Sequence, residues 1–102
     1  MSGNEGFVAL VMYSTTPAAQ QGQAETLVKM AQDEIRSMPG FVSGRVFVSE
    51  DGAHIVTLVE WRDRESFVAF RQTEFGRAGA QMMGELHPTP YWLKPFAAVD
   101  PQ

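Results

Sequence analysis

The sequence predicts a single α+β domain whose strands and helices follow in the order β-α-β-β-α-β. Two observations predict this class. Short segments that are apolar throughout, or that alternate, are typical of strands, and they are separated by longer segments whose apolar residues recur every three or four positions, as in helices. Glycine, proline and aspartate fall between these segments, where turns are expected. The length of 102 residues fits one domain, and 44% apolar with 20% charged residues is typical of a folded globule.

The first predicted strand runs from Phe7 to Tyr13 and is apolar at both odd and even positions. A strand with two apolar faces is buried on both sides, so we expect it inside the sheet rather than at an edge. A turn follows, in which Thr16 is a candidate N-cap and Pro17 suits the first position of a helix.

The first helix is predicted from Ala18 to Met38 and is ended by Pro39-Gly40. Proline cannot continue a helix, and glycine accepts the positive φ that often follows one. Steps of three and four between apolar positions define one buried stripe, which consists of Ala24, Leu27, Val28, Ala31, Ile35 and Met38.

A β-hairpin is predicted next, from Phe41 to Ser49 and back from His54 to Trp61, around the turn Glu50-Asp51-Gly52. In the returning strand, Thr57 and Trp61 share one face because side chains alternate along a strand. By the same rule, Phe41 is predicted on the face opposite to the one that carries Val42, Gly44, Val46 and Val48.

The second helical region begins after Asp63, a good N-cap, and carries Phe67 and Phe70 on its apolar side. The dipeptide Gln72-Thr73 is predicted to interrupt it before a further helical run from Glu74 to about Gly84. The helical part of this half of the chain is therefore expected in two pieces.

The last predicted strand, Thr89 to Val99, contains Pro90 and Pro95. Proline lacks the N–H that a neighbouring strand needs, so this strand is expected at a sheet edge. The complete order is the ferredoxin-like split β-α-β pattern with a four-stranded antiparallel sheet. We expect one domain over residues 7–99, with flexible tails at residues 1–6 and 100–102.

The predicted sheet leaves one apolar face uncovered. Helices can cover only one face of a four-stranded sheet, whereas the first strand and the valines of the hairpin are apolar on both faces. A homodimer that stacks sheet on sheet about a two-fold axis covers the second face. Tyr91 and Trp92 are expected to pack across that interface, since aromatic residues are enriched in interface cores.

Charge and composition exclude several classes of function. The net charge is −4 and the basic residues are scattered, so no nucleic-acid partner is expected. The absence of cysteine removes disulfides, thiol nucleophiles and thiolate metal sites, and fits a reducing compartment. No segment approaches the ~20 apolar residues of a membrane helix, and Met1 to Gly6 lacks the features of a signal peptide. A cytoplasmic protein without a membrane partner is therefore expected.

Three segments carry a resemblance to a known family. They are Met38-Pro39-Gly40-Phe41, Asp51-Gly52, and the stretch Val59-Glu60-Trp61-Arg62-Asp63-Arg64-Glu65-Ser66-Phe67. In this order and spacing, from Phe7 to about Val99, the chain resembles the antibiotic biosynthesis monooxygenases, dimeric α+β barrels that include anthrone oxidases of aromatic polyketide pathways. The resemblance implies an oxygenase with no metal, flavin or other cofactor. Its substrate, an anthrone or quinol, is deprotonated and the anion reduces O₂ directly, while the protein supplies a dry pocket and hydrogen bonds.

The same resemblance implies which residues are catalytic. Trp61 matches a family tryptophan at the end of the third strand, and its indole N–H can donate to a substrate carbonyl or a peroxide oxygen. Thr57 stands where the anthrone oxidases have an asparagine, and Phe67 where some members have a tyrosine. Both Trp61 and Thr57 also suit a sheet core that binds nothing. Residues 75–80 lack the histidine of the haem-degrading members, so haem degradation is not expected.

The remaining candidates for substrate binding, besides Phe67 and Phe70, come from four further positions. Tyr13 offers a phenol at a strand end, and Arg77 offers a partner for an anionic substrate oxygen. Met82 is flexible apolar filler that suits an adaptable pocket, and His87 is a candidate base near the pocket mouth. Each has an ordinary reading too: a strand-end aromatic, a solvated charge, core packing and a solvated histidine. No metal site is expected, because the two histidines lack ligand spacing.

These observations favour a cofactor-independent monooxygenase-like tailoring enzyme that oxidises a polycyclic aromatic or phenolic substrate with O₂ in polyketide or antibiotic biosynthesis. Two alternatives keep the pocket and change its use. One is a cyclase or isomerase of a polyketide-like intermediate, and the other is a non-catalytic dimer that binds a small aromatic. Oxygen uptake separates the first hypothesis from the others, and product formation without oxygen separates the second from the third.

Overall fold

The computed structural model describes residues 6–102, apart from the side chain of Met82. Most of the predicted N-terminal tail therefore lies outside the described residues. The elements are β1 (Phe7–Ser14), α1 (Gln20–Met30), a π-helical turn (Ala31–Ile35), β2 (Phe41–Val48), β3 (His54–Trp61), α2 (Arg64–Gln72), α3 (Glu74–Met83), a short 3-10 turn (Gly84–Leu86) and β4 (Thr89–Leu93). The predicted α+β class and ferredoxin-like element order are confirmed.

The four strands form one antiparallel sheet in the order β2-β3-β1-β4. The interior position predicted for β1 is confirmed, because β3 and β4 pair with it on either side. The edge position of β4 is confirmed as well, with Pro90 opposite Val11. The strand ends at Leu93 rather than at Val99, two residues before Pro95.

The core lies between the sheet and the helices. Along β1, the buried side chains are Phe7, Ala9 and Tyr13, and the register sets them opposite Trp61, Val59 and Ile55 of β3. One cluster joins Tyr13 and Ile55 to Leu27 of α1 and Met83 of α3. The other joins Phe7, Ala9 and Trp61. Burying such side chains stabilises the fold by about 1.5–3 kcal/mol each.

The opposite side of the sheet, which we call the open face, is mostly apolar, although the register also places Arg45 and Glu60 on it. Its exposed large side chains are Met12, Phe47, Tyr91 and Leu93. The register places Met12 and Phe47 on this face through their common neighbour Val56, and Tyr91 and Leu93 opposite Leu10 and Val8. No element of the described chain packs on it, and the dimer predicted to cover it stays a prediction.

A β-bulge changes the face of one aromatic residue. Phe41 pairs with Trp61 and Ser43 with the next residue, Glu60, so Val42 is an extra residue between them. Phe41 therefore lies on the helix-facing side and contacts Trp61 edge-on. The prediction that Phe41 lies on the face opposite to Gly44 and Val46 was wrong, because the bulge inserts one residue into the alternation.

The first helix begins later and ends differently than predicted. Thr16 closes a turn before the helix: its carbonyl accepts from the Gln20 amide at 2.9 Å, and its hydroxyl from the Ala19 amide at 3.3 Å. Regular α-helix therefore starts at Gln20 rather than at Ala18. At the other end, the Arg36 amide donates to the Ala31 carbonyl at 3.0 Å, the wider spacing of a π-helix, which is common at functional sites.

The Asp63 cap and the break at Gln72-Thr73 predicted for the second helical region are confirmed. The Asp63 carboxylate accepts hydrogen bonds from the Ser66 amide at 2.8 Å and from its hydroxyl at 2.7 Å. Thr73 ends α2 and caps α3, since its hydroxyl accepts from the Gly76 amide at 3.0 Å. A Cβ on Gly76 would lie 2.2 Å from the Phe70 carbonyl oxygen, so only glycine lets the two helices meet this closely.

Candidate active site

A cavity of about 500 Å³ lies between the helix-facing side of the sheet and the three helices. Its floor is made by side chains of β1 and β3, its roof by α1 and the π-helical turn, and one wall by α2 and α3. Pro90 and Trp92 of β4 border it at the sheet edge. The volume is that of a site for a small organic molecule, and its lining is mostly apolar and aromatic, as in such sites.

Trp61 is the most deeply placed polar group in this cavity. It is 2% exposed, and its ring stacks on Phe70 with centroids 5.4 Å apart and meets Phe41 edge-on at 6.0 Å. Among the described residues, its Nε1 is the one buried side-chain donor or acceptor without a hydrogen-bond partner. Leaving such a group unpaired costs about 1–3 kcal/mol. The indole N–H is therefore a buried donor that no described residue uses.

Tyr13 and Thr57 form a second polar point on the cavity floor. They are diagonal neighbours across β1 and β3, since Val11 pairs with Thr57 and Tyr13 with Ile55. Burial raises the pKa of the Tyr13 phenol above 10.0, while a hydrogen bond with the Thr57 side chain and the charge of Arg71 act in the opposite direction. The phenol therefore keeps its proton at neutral pH and acts as a hydrogen-bond group rather than as a base.

An aromatic wall continues from Trp61 to the cavity mouth. Phe67 of α2 lies 6.2 Å from Trp61, 5.1 Å from Phe7 and 5.1 Å from Trp92, all between ring centroids. Trp92 also stacks on Phe7 at 6.4 Å. Trp92 thus packs within its own chain, on the helix-facing side, whereas the sequence predicted a place in the dimer interface. The pairing of Ala9 with Trp92 fixes this side, and periodicity alone does not reveal such a register.

Arg71 is a cavity-lining residue that sequence reasoning missed. Its guanidinium carbon lies 5.5 Å from the Phe67 ring centroid and 5.9 Å from that of Trp92, so it bridges α2 and β4 over two aromatic faces. Such contacts are favourable for a planar cation. The available signal was the four-residue spacing from Phe67, which puts the two side chains on one side of a helix.

Five of the predicted site residues line the cavity: Tyr13, Thr57, Trp61, Phe67 and Phe70. Arg77 does not, because it is exposed and its Nη2 donates to the Gln72 carbonyl at 2.9 Å. His87 is also exposed and outside the lining, although the next residue, Pro88, borders the cavity. The Met82 side chain lies outside the described part of the chain.

Residues 6–102 contain no cluster of three or more histidine, cysteine, aspartate or glutamate side chains placed to hold a metal ion. None of the helices in this range has the length and apolar character needed to span a bilayer.

Comparison with known proteins agrees with this architecture. Residues 6–81 match the family described as antibiotic biosynthesis monooxygenase. Tetracenomycin-F1 monooxygenase of Streptomyces glaucescens is 35% identical over 63 residues, which are 62% of this chain and 56% of that protein. The match thus spans little more than half of that relative's length.

Solved structures extend the likeness over almost the whole chain. The monooxygenase from the gene ActVA-Orf6 of Streptomyces coelicolor, in complex with nanaomycin D, has a TM-score of 0.86 at 26% identity, covering 99% of this chain and 96% of its own. Rv0793 of Mycobacterium tuberculosis has a TM-score of 0.78 at 19% identity, with 94% and 100% covered. At that identity, the second likeness shows the fold alone.

Proposed function

Because the chain belongs to the antibiotic biosynthesis monooxygenase family, we propose that it is a cofactor-independent monooxygenase that oxidises a polycyclic aromatic or phenolic substrate, an anthrone or quinol, with O₂. The observation that carries this proposal is the buried, unpartnered indole N–H of Trp61, whose side chain lines an aromatic cavity of about 500 Å³. We further propose a role in polyketide or antibiotic biosynthesis, as the names of the two Streptomyces relatives suggest.

The aromatic wall suits the binding and orientation of a flat ring system. Rings of Trp61, Phe67 and Phe70 line the cavity, and aromatic molecules pack favourably against ring faces and edges. A substrate held there is removed from bulk water, which strengthens each hydrogen bond to it and protects a reactive carbanion from protonation.

The proposed reaction needs no external reductant. Loss of a proton from the anthrone methylene gives an electron-rich anion, which transfers electrons to O₂ and forms a carbon–oxygen bond. The resulting hydroperoxide breaks its O–O bond and loses the second methylene proton, so that a carbonyl and one water are released. All four electrons that reduce O₂ come from the methylene carbon and its two C–H bonds.

The polar groups of the cavity have separate roles in this scheme. The Trp61 N–H donates to the oxygen on which negative charge develops, either the substrate carbonyl or the peroxide. Tyr13 and Thr57 hold a second substrate oxygen from the floor, with the phenol in its protonated form. No side chain is assigned as the base, because the described lining of the cavity contains no aspartate, glutamate or histidine, and the proton is taken up by a water molecule that enters with the substrate.

Oxygen consumption tests the proposal. Purified protein is incubated with a panel of anthrones and quinols while an oxygen electrode and quinone absorbance are followed together. The expected result is one O₂ consumed for each anthrone methylene oxidised, at a rate proportional to protein concentration. Product formation under strict anaerobiosis would instead favour the cyclase or isomerase. Tight binding without any product would favour the non-catalytic binder, and either result contradicts the proposal.

A further inference from the structure

The charged residues that line the cavity are all positive. The described residues that line it include Arg45 and Arg71 and no aspartate or glutamate, although the whole chain carries a net charge of −4. The Arg45 guanidinium packs 5.3 Å from the Phe47 ring centroid, and both of these residues belong to the open face of the sheet by register. Arg71 is therefore the positive charge that faces the cavity.

Arg71 is also free to bind a ligand. Within the described chain, no hydrogen bond or ion pair joins its guanidinium to another residue, and its contacts are the two aromatic faces of Phe67 and Trp92. The two rings hold the guanidinium by cation–π contact, which uses none of its N–H donors. A fork of donors held in this way matches a carboxylate.

Trp61 and Arg71 lie close enough together for one aromatic ligand to reach both. Phe67 links them, since its ring centroid is 6.2 Å from that of Trp61 and 5.5 Å from the Arg71 guanidinium carbon, so the two lie no more than about 12 Å apart. A polycyclic aromatic can therefore place a ring oxygen at the Trp61 N–H and an acidic substituent at Arg71.

We propose that Arg71 is a specificity-determining residue that selects polycyclic aromatic substrates bearing a carboxylate at the end remote from the reacting ring. The proposal rests on the proposed function, which places the reacting ring at Trp61. It adds a requirement on the substrate that the apolar cavity alone does not impose, because an uncharged ring system of the same size would fill the same space.

Equilibrium binding of a matched pair of probes tests this assignment without turnover. Anthracene-2-carboxylate and anthracene-2-carboxamide differ in charge and little in shape, and their affinities are measured by calorimetry at low ionic strength. Wild-type protein is expected to bind the carboxylate roughly 1.5- to 5-fold more tightly than the amide, the range for an exposed ion pair. The preference should shrink as salt is added.

Two variants assign the preference to one side chain. Arg71→Gln should abolish it while amide binding is retained, and Arg77→Gln, which alters an exposed arginine outside the cavity, should leave it unchanged. Circular dichroism checks that both variants are folded. An equal affinity for the two probes in wild type, a preference that survives in Arg71→Gln, or failure of wild type to bind either probe would overturn the proposal. Since no oxygen is consumed, failure of the monooxygenase assay is a separate result.

Discussion

Trp61 stacks on Phe70, with ring centroids 5.4 Å apart and planes inclined by 29°, while its indole N–H has no acceptor in the described chain. A buried donor of this kind is rare in proteins, where such groups are nearly always paired. The indole ring and its N–H thus affect the stability of the fold in different ways. The ring stabilises the core through its contacts with Phe41, Phe67 and Phe70, whereas the unpaired N–H destabilises the fold.

Replacement of Trp61 by phenylalanine separates these two contributions. Trp61→Phe keeps most of the stacked aromatic area, so the protein should fold with a modest loss of stability. Oxygen consumption with an accepted anthrone should fall by about 10- to 1000-fold, the scale for losing one pre-organised donor. Trp92→Phe is the matched control, since it removes the indole N–H at the mouth and should change the rate far less. Turnover by Trp61→Phe at the wild-type rate would reduce Trp61 to a packing role.

Much of the fold was predictable because helical and strand periodicities are local properties. The strand His54–Trp61, the Asp63 cap and the break at Thr73 follow from residues within one turn or one strand. The bulge at Val42 does not, because it is defined by the partner strand and the alternation of residue types gives no sign of it.

The site residues on a strand could be predicted from the sequence, whereas the arginine on a helix surface could not. Thr57 and Trp61 follow from alternation along β3. Arg71 was missed because an arginine on an amphipathic helix looks like any solvated charge until the position of β4 is known. Arg77 was selected instead, although the start of α3 after Thr73 turns it towards the Gln72 carbonyl and away from the cavity.

A second prediction concerns the position where the family has an asparagine. Thr57→Asn supplies a longer arm with two donors and two acceptor lone pairs, in place of one hydroxyl. Quinone formation should rise severalfold if the amide reaches the substrate oxygen proposed for Thr57. Thr57→Val keeps the shape and removes the hydroxyl, and it should lower the rate by about 3- to 10-fold, the scale of one hydrogen bond. Equal rates in wild type, Thr57→Asn and Thr57→Val would show that the Thr57 side chain does not bind the substrate.

The Tyr13 phenol should make stability depend on pH in the alkaline range. Burial raises its folded pKa above the reference value of 10.0. The folded state therefore holds its proton where the unfolded state loses it, and stability declines as the pH rises from about 10 through the folded pKa. Tyr13→Phe should flatten that decline in urea unfolding, whereas Tyr91→Phe, on the open face, should not. An identical alkaline decline in Tyr13→Phe and wild type would contradict this account.

Asp63 should have the opposite dependence in acid. Hydrogen bonds from the Ser66 hydroxyl and amide hold the pKa of its carboxyl below 3.8. Its stabilising contribution is therefore present above about pH 4 and is lost as the pH falls through the lower folded pKa. Asp63→Ala should have a lower unfolding midpoint than wild type at neutral pH. The difference between the two midpoints should shrink in acid. Asp63→Asn keeps a good cap without the charge, so it should retain most of the midpoint and show less acid dependence. A midpoint equal to wild type in Asp63→Ala would exclude the cap as a stabilising feature.

The open face provides the last prediction. Met12, Phe47, Tyr91 and Leu93 expose apolar surface on one side of an otherwise complete sheet, and contiguous patches of this kind mark interaction sites. We expect a second copy of the chain there, related by a two-fold axis, because a single self-complementary sheet face can pair with itself. Sedimentation equilibrium at micromolar concentration should then give twice the chain mass of 11.3 kDa. Met12→Glu puts a charge at the centre of this face and should yield monomers, whereas Val99→Glu, at a position 97% exposed near the C-terminus, should remain dimeric. A monomeric wild type, or a dimer that Met12→Glu leaves intact, would show that this face is not the interface.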